Sequence, residues 1–186
     1  GYVIGRKLKE NEHDYMSDFK PPNETESIYE HCMRAINKSL NFEYFPKING
    51  GDWNDGMNKV GINGKGESVW LGFFLYSILV KFAEYSKYIT RFANKETAIA
   101  MQEANRKVDV KNIDTDEKSD EYERLMQVAE KLKKNLNTEG WDGRWYKRAT
   151  DDEGRTLGSA VNKECKIDGI SQSWAVISNA GDNDKK

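Results

Sequence analysis

Three stretches of the chain place apolar residues at helical spacing. The first follows SIYE at residues 27–30, a sequence typical of a helix capping box, and predicts a helix over residues 28–40. The second is apolar on nearly every side and predicts a mostly buried helix from near Glu67 to about Tyr88. The third carries its apolar residues on one face and predicts an amphipathic helix over residues 121–137.

Weaker patterns complete the secondary structure. Residues 90–105 are compatible with a less regular helix, and the charged residues 107–119 are typical of an exposed connection. A short strand over residues 144–150 followed by a turn at residues 151–154 predicts a β-hairpin. The helical pattern returns at Asp168. The predicted fold class is therefore mainly α, with long loops and one small β-hairpin.

Composition narrows the function classes. The chain has 186 residues, with 29 Lys and Arg against 31 Asp and Glu, and this near balance argues against a nucleic-acid binder. The most apolar run, VWLGFFLYSILV at residues 69–80, is shorter than the roughly 20 residues of a membrane span. Cys32 and Cys165 are too few for a disulfide framework and form no CxxC pair, so we expect reduced cysteines, no metal and a cytoplasmic protein.

The long loop over residues 41–66 contains the densest chemistry, GGDWNDGMN at residues 50–58. Asp52 and Asp55 flank a tryptophan and an asparagine. A carboxyl group beside a tryptophan ring can be desolvated, which raises its pKa toward that of a general acid at neutral pH. Tryptophan faces also stack on sugar rings. The alternative is a loop in which both aspartates cap turns and the tryptophan fills core; a calcium loop lacks its usual alternation of oxygen ligands and its terminal glutamate.

Two further clusters combine polar and aromatic residues. GWDGRWY at residues 140–146 could form a sugar platform, although such aromatic residues are more often core. The second cluster, residues 158–175, places Glu164 and Gln172 beside apolar neighbours. Either side chain could be structural.

Four motifs together resemble glycoside hydrolase family 94, which contains cellobiose, chitobiose and 1,2-β-oligoglucan phosphorylases and the phosphorylase-like domain of cyclic β-1,2-glucan synthases. The motifs follow the family's order from about residue 27 to residue 178, and the YEHC and NKEC forms look closest to the β-1,2-glucan branch. They are SIYEHCMRAINKSL, GDWNDGMNKVG with GKGESVWLGFFL, GWDGRWYKRA, and LGSAVNKECKIDGISQSWAVIS.

The resemblance implies a fold and a reaction. The fold would be an (α/α)6 barrel with its site in the loops at the mouth, and the reaction a reversible, inverting phosphorolysis of β-glucan oligosaccharides that yields α-glucose 1-phosphate. Asp55 would be the general acid and Trp53 would line the sugar site. Further substrate-binding candidates are Asn54, Asp52, Glu164 and Gln172. Asp52 would have a structural or sugar-binding role. Inorganic phosphate would be a co-substrate, and no cofactor is implied.

The resemblance also sets expected boundaries. Residues 1–26 would be a connector, residues 27–178 the family-like core and residues 179–186 a polar tail, together a partial barrel domain. The family's phosphate-binding residues, much of its acceptor site and any homodimer surface would lie outside the chain, so we expect little or no turnover from these residues alone. A non-catalytic carbohydrate-binding remnant and a plain helical domain are the alternatives. Residues 43–49 depart most from the family's pattern.

Overall fold

The computed structural model describes residues 9–10, 27–52, 55–103 and 119–185. These residues form four α-helices and a small antiparallel sheet, so the mainly α prediction is confirmed. Four helices do not close a barrel, and the (α/α)6 barrel stays a prediction. The elements, in chain order, are α1 (Ile28–Ser39), β1 (Glu67–Ser68), α2 (Val69–Glu103), α3 (Asp120–Asn137), β2 (Ala149–Thr150), β3 (Thr156–Leu157) and α4 (Gly169–Ile177).

Helix α1 belongs to a compact unit, residues 1–40, that is separate from residues 41–186. Its capping box forms as predicted: the Ser27 hydroxyl accepts the Glu30 N–H, and the Glu30 carboxylate accepts the Ser27 N–H at 2.7 Å. This N–H bond, with the Ser27 hydroxyl, lowers the pKa of Glu30. The helix ends at Ser39, with Leu40 as its C-cap, one residue before the predicted end.

The second unit is built on the packing of α2 against α3. Most of the apolar face predicted for α3 is buried, with Tyr122 and Met126 partly exposed, and α2 contributes Phe73 and Leu79 with no exposed surface. A Cβ at Gly72 would lie 3.0 Å from Leu136 Cδ2, so the glycine lets the two helices approach closely. The buried α3 residues are Leu125, Ala129, Leu132 and Leu136.

Helix α2 differs from the prediction at both ends. Glu67 and Ser68 do not start the helix: they form β1, which is buried and pairs with β2. At the other end the helix runs through Tyr88 without a break to Glu103. The helix predicted over residues 90–105 is therefore confirmed as far as Glu103, but as a continuation of α2 and not as a separate helix. No glycine or proline interrupts residues 73–103, and residues such as Ala, Glu and Lys sustain the helix there.

The burial predicted for α2 holds on one side only. Phe74 is 39% exposed and Tyr88 is 56% exposed, on the side away from Phe73 and Leu79. By length and composition alone, the 22 residues Val69–Thr90 are apolar enough to cross a membrane, and the core helix of a soluble protein passes the same test.

The predicted hairpin is present but shorter than expected, and it is part of a larger sheet. β2 pairs with β3 through the turn at residues 151–154, and β1 adds a third strand on the other side of β2. Residues 144–148 are not strand: the N–H groups of residues 144–146 donate to the side chains of Asp142 and Gln172. The final segment is polar as predicted but is docked: Asp182 donates its N–H to Asn137 Oδ1 at 2.9 Å.

Candidate active site

Asp52 lies at the centre of a buried polar cluster. The side chain is fully buried, and its two carboxylate oxygens accept bonds from Arg148 Nη1 and Nη2, each at 2.8 Å. The Ser68 hydroxyl donates a further bond to Oδ2 at 2.8 Å. Such a two-pronged pairing fixes the orientation of the carboxylate as well as its position. Of the two roles predicted for Asp52, this geometry favours the structural one.

Arg148 extends this cluster toward α4. Its side chain is 3% exposed, and its Nε lies 3.3 Å from Asp168 Oδ2. Asp168 in turn caps the first turn of α4 by accepting the Ile170 N–H at 2.9 Å. The guanidinium also lies 6.0 Å from the centre of the Trp70 ring, a cation–π distance. One side chain thus connects the loop of Asp52, the start of α2 and the start of α4.

The backbone around Arg148 is equally constrained. Its carbonyl accepts the Val69 N–H at 3.1 Å, and its own N–H donates to Leu157 O at 2.8 Å. Gly158 has a φ of 67°, and a Cβ at this position would lie 2.7 Å from the Cβ of Arg148. Glycine is needed there because it alone combines the left-handed backbone with this close approach.

The backbone of Asp55, the predicted acid, lies in a short turn. Residues Asp55–Met57 form a short 3-10 turn, which the Val60 N–H extends by donating to Met57 O at 3.0 Å. This turn begins three residues after the buried Asp52. Trp53 and Asn54 lie outside the described residues. The roles predicted for Asp55, Trp53 and Asn54 stay predictions.

The loop that follows the turn is held by the β-hairpin. The carboxylate of Asp152 accepts three backbone N–H groups, from Asn63, Lys65 and Gly66, at 2.8–2.9 Å. Burial opposes ionisation of this carboxyl, but the three bonds outweigh it and lower the pKa of Asp152. A Cβ at Gly66 would lie 2.7 Å from the Gly61 Cα, so the loop closes tightly on itself.

The stretch that departs from the family's pattern is also anchored. Buried Glu67 accepts the N–H groups of residues 43–45 at 3.1–3.3 Å and pairs with Lys47 Nζ at 2.8 Å. Lys47, which stands where the family pattern leads us to expect an aliphatic residue, therefore has a partner of its own. The short segment is a defined part of this fold.

The GWDGRWY cluster is organised by Asp142. Its carboxylate accepts the N–H groups of Arg144, Trp145 and Ala160 and the hydroxyl of Ser159, at 2.6–3.0 Å. Burial works against the charge of Asp142, yet these bonds lower its pKa. Tyr146 has no exposed surface and packs edge-on against Phe73, so this member of the possible sugar platform is core.

The two remaining candidates sit differently. Gln172 binds the main chain: its Oε1 accepts the Tyr146 N–H at 3.0 Å, and its Nε2 donates to the carbonyls of Tyr146 and Asp168. Glu164 is exposed in the segment before α4. The side-chain amide of Gln172 is therefore used to hold the main chain, whereas the side chain of Glu164 is accessible to a ligand. No group of three or more His, Cys, Asp or Glu in the described part of the chain could hold a metal ion.

Sequence reasoning missed Arg148, Ser68 and Asp168 as members of this cluster. A signal for Arg148 existed: along the strand predicted over residues 144–150, alternation places Arg148 on the same side as Tyr146, and Tyr146 is buried. A charged residue at an inward position needs a buried partner. That partner is Asp52, which lies 96 residues away, so the local sequence could not identify it.

Comparison with known proteins identifies the family. The model of the glycosyl hydrolase 94 superfamily catalytic domain matches residues 2–118 and 99–186. Cyclic beta-(1,2)-glucan synthase NdvB of Rhizobium meliloti is 37% identical over 189 residues, which cover 99% of this chain and 6% of that protein. Solabiose phosphorylase of Paenibacillus borealis is 30% identical, over 86% of this chain and 18% of that protein.

A third relative, cellobionic acid phosphorylase of Neurospora crassa, is 27% identical over 83% of this chain and 16% of that protein. The chain thus spans between 6% and 18% of the length of these three relatives. The resemblance seen in the four motifs is confirmed. The chain belongs to the glycosyl hydrolase 94 superfamily, through its catalytic domain.

Proposed function

We propose that the natural polypeptide carrying these residues is a glycoside phosphorylase acting on β-glucan oligosaccharides. The observation that supports it most is the match to the family's catalytic domain along the chain, together with relatives named as phosphorylases. The choice of a β-glucan is supported by the 37% identity to a protein named as a cyclic beta-(1,2)-glucan synthase. Phosphate would attack the anomeric carbon with inversion and release α-glucose 1-phosphate.

In this proposal Asp55 is the general acid. It protonates the glycosidic oxygen as the bond to the anomeric carbon breaks, while phosphate attacks from the opposite face. An inverting hydrolase needs a second carboxylate to activate water, but phosphate is already an anionic nucleophile and needs no base. The structure supports this division of roles, because Asp52, the nearest carboxylate in sequence, is fully buried against Arg148.

Substrate contacts are assigned in the same way. Trp53 stacks on the face of a glucosyl ring and Asn54 bonds to its hydroxyls. Glu164 is exposed and can accept a hydrogen bond from a sugar hydroxyl. Gln172, whose amide holds the main chain of Tyr146, contributes by fixing the wall of the site. The phosphate-binding groups belong to parts of the domain outside this chain.

The remaining features follow from the family. The described helices would be part of an (α/α)6 barrel, and the loops of Asp52 and Asp152 would lie at its mouth. Phosphate would be a co-substrate and no cofactor would be required. The protein would act in the cytoplasm, and a homodimer would form through surfaces outside this chain.

The proposal is tested on the complete natural polypeptide. Purified protein is mixed with β-glucan oligosaccharides with and without phosphate, and glucose 1-phosphate is measured. We expect release only with phosphate, and a loss of about 100-fold or more in the rate for Asp55→Asn, because a positioned acid contributes at least this factor. Asp184→Asn, at an exposed position of the final segment, serves as the matched control.

Two outcomes would overturn the proposal. Near-normal turnover by Asp55→Asn excludes that residue as the acid. Oligosaccharide binding by calorimetry, with no glucose 1-phosphate at any enzyme concentration, would instead identify a carbohydrate-binding protein without phosphorylase activity.

A further inference from the structure

The buried cluster around Arg148 joins segments that are remote in sequence. Asp52 lies 96 residues before Arg148 and Ser68 lies 80 residues before it, yet both bond to its Nη1, at 2.8 and 3.1 Å. Asp168, at the start of α4, faces the Nε of the same guanidinium at 3.3 Å. Arg148 therefore bridges two carboxylates from segments that are remote from each other in the sequence.

Stability alone is a poor explanation for this arrangement. Arg148 is 3% exposed and Asp52 is fully buried, so both charges have lost most of their hydration. The desolvation of a buried ion pair commonly cancels its attraction, and apolar residues of similar size can stabilise a core at least as well. What the fork of the guanidinium does supply is direction, since two parallel N–H···O bonds allow a single orientation of the carboxylate.

The two carboxylates stand next to the segments that carry the proposed chemistry. Asp52 precedes Asp55 by three residues, and the 3-10 turn begins at Asp55 itself. Asp168 precedes Gln172 by four residues, and its carbonyl accepts a bond from the Gln172 amide at 3.1 Å. A movement of the guanidinium would shift both segments together.

We propose that Arg148 is a positioning residue of the glycosidic-bond cleavage: through Asp52 and Asp168 it holds the acid-bearing turn at a fixed distance from the segment that enters α4. This inference rests on the proposed function. In this proposal Arg148 contacts neither substrate nor phosphate. It acts on the placement of Asp55, which must meet the glycosidic oxygen within hydrogen-bond reach as phosphate attacks.

The test compares two substitutions of Arg148 with a matched control on the complete natural polypeptide. Arg148→Lys keeps the charge but loses the fork, and Arg148→Ala loses both. Arg155→Lys is the control, because the side chain of Arg155 is 74% exposed and pairs with neighbouring carboxylates of the hairpin turn. Phosphorolysis is measured as kcat and KM across pH, with circular dichroism and thermal unfolding of each variant.

For Arg148→Lys we expect a folded protein whose kcat falls about 100-fold while KM changes less than about threefold, because misplacing a catalytic group by about 1 Å has an effect of this size. The pH at which kcat declines on the alkaline side should also shift, since the surroundings of the acid change. Arg155→Lys should match the natural protein. Added guanidinium at millimolar concentration should restore part of the kcat of Arg148→Ala.

Folded Arg148→Lys with normal kcat and an unchanged pH profile would overturn the inference. If Arg148→Lys does not fold, Arg148→Ala with added guanidinium is the deciding experiment. Restored thermal stability without restored kcat would then show that Arg148 has a structural role only, and would overturn the inference. Failure of the proposed function itself is recognised separately, because then either the natural polypeptide releases no glucose 1-phosphate or Asp55→Asn retains its activity, whatever the Arg148 variants do.

Discussion

Replacement of Tyr146 by phenylalanine removes a single hydroxyl from the core behind the candidate site. The side chain has no exposed surface, and its hydroxyl donates to Asn137 Oδ1 at 2.6 Å and accepts the Asp182 N–H at 3.3 Å. Burial raises the pKa of Tyr146 to about 12; the Asp182 N–H opposes this, and the charges of Asp182 and Asp184 add to it. At alkaline pH the free energy of unfolding of the natural protein should therefore depend on this hydroxyl, whereas that of the variant should not.

The magnitudes follow from the hydrogen bond and from this pKa. At neutral pH the lost bond should cost the variant about 1 kcal/mol of unfolding free energy. Because the folded pKa lies above the unfolded value of about 10, stability present below that value is lost as the pH rises toward 12. By about pH 11 the natural chain should have lost about 1.4 kcal/mol from this group. The natural chain should therefore be the more stable of the two below about pH 10, and Tyr146→Phe the more stable above about pH 11.

Urea unfolding followed by tryptophan fluorescence, from about pH 7 to about pH 11, measures this difference. Tyr88→Phe is the control, because Tyr88 is 56% exposed and its variant should follow the natural chain throughout. A constant difference between the natural chain and Tyr146→Phe across the alkaline range would refute the reasoning. So would a variant that is as stable as the natural chain at neutral pH.

Three further substitutions test the loops around the site. Asp152→Ala should accelerate the amide hydrogen exchange of residues 63, 65 and 66, and in the natural chain their protection should be lost as the pH falls through the lowered pKa of Asp152; unchanged exchange would contradict the anchor. Gly158→Ala should destabilise the chain by about 2 kcal/mol or more in thermal unfolding, because the alanine would have a positive φ and its Cβ would collide with Arg148. An unchanged stability would be evidence against both the strained backbone and the collision. Asp142→Ala should lower stability by about 1–3 kcal/mol in urea and alter the near-ultraviolet circular dichroism of Trp145, whereas an unaltered spectrum would show that the carboxylate does not order this turn.

Elements specified by neighbouring residues could be predicted from the sequence. The capping box of α1 and the apolar face of α3 depend on residues three and four apart, and both were identified to within one residue. The hairpin turn at residues 151–154 was recognisable for the same reason. The family resemblance, which rests on contiguous motifs, is likewise local information.

Elements that depend on contacts with distant residues could not be predicted from the sequence. Glu67 and Ser68 look like the first turn of a helix, and only the pairing with β2, about 80 residues later, makes them a strand. Gln172 reads as a polar group available for a ligand until the main chain of Tyr146 is placed beside it. By residue type alone Asp52 and Asp55 are equivalent; the family resemblance gives them different roles, and the contact of Asp52 with Arg148 supports a structural role for Asp52.

The separation of 96 residues between Asp52 and Arg148 also bears on the order in which the molecule forms. Helices α2 and α3 can be nucleated by local contacts, whereas joining Asp52 to Arg148 requires closure of a long loop, whose entropy must be lost before the contact can form. We expect this cluster to assemble after the helices have packed. Substitutions in it should then accelerate unfolding more than they slow refolding, so that the loop carrying Asp52 is the last part to form and the first to be released.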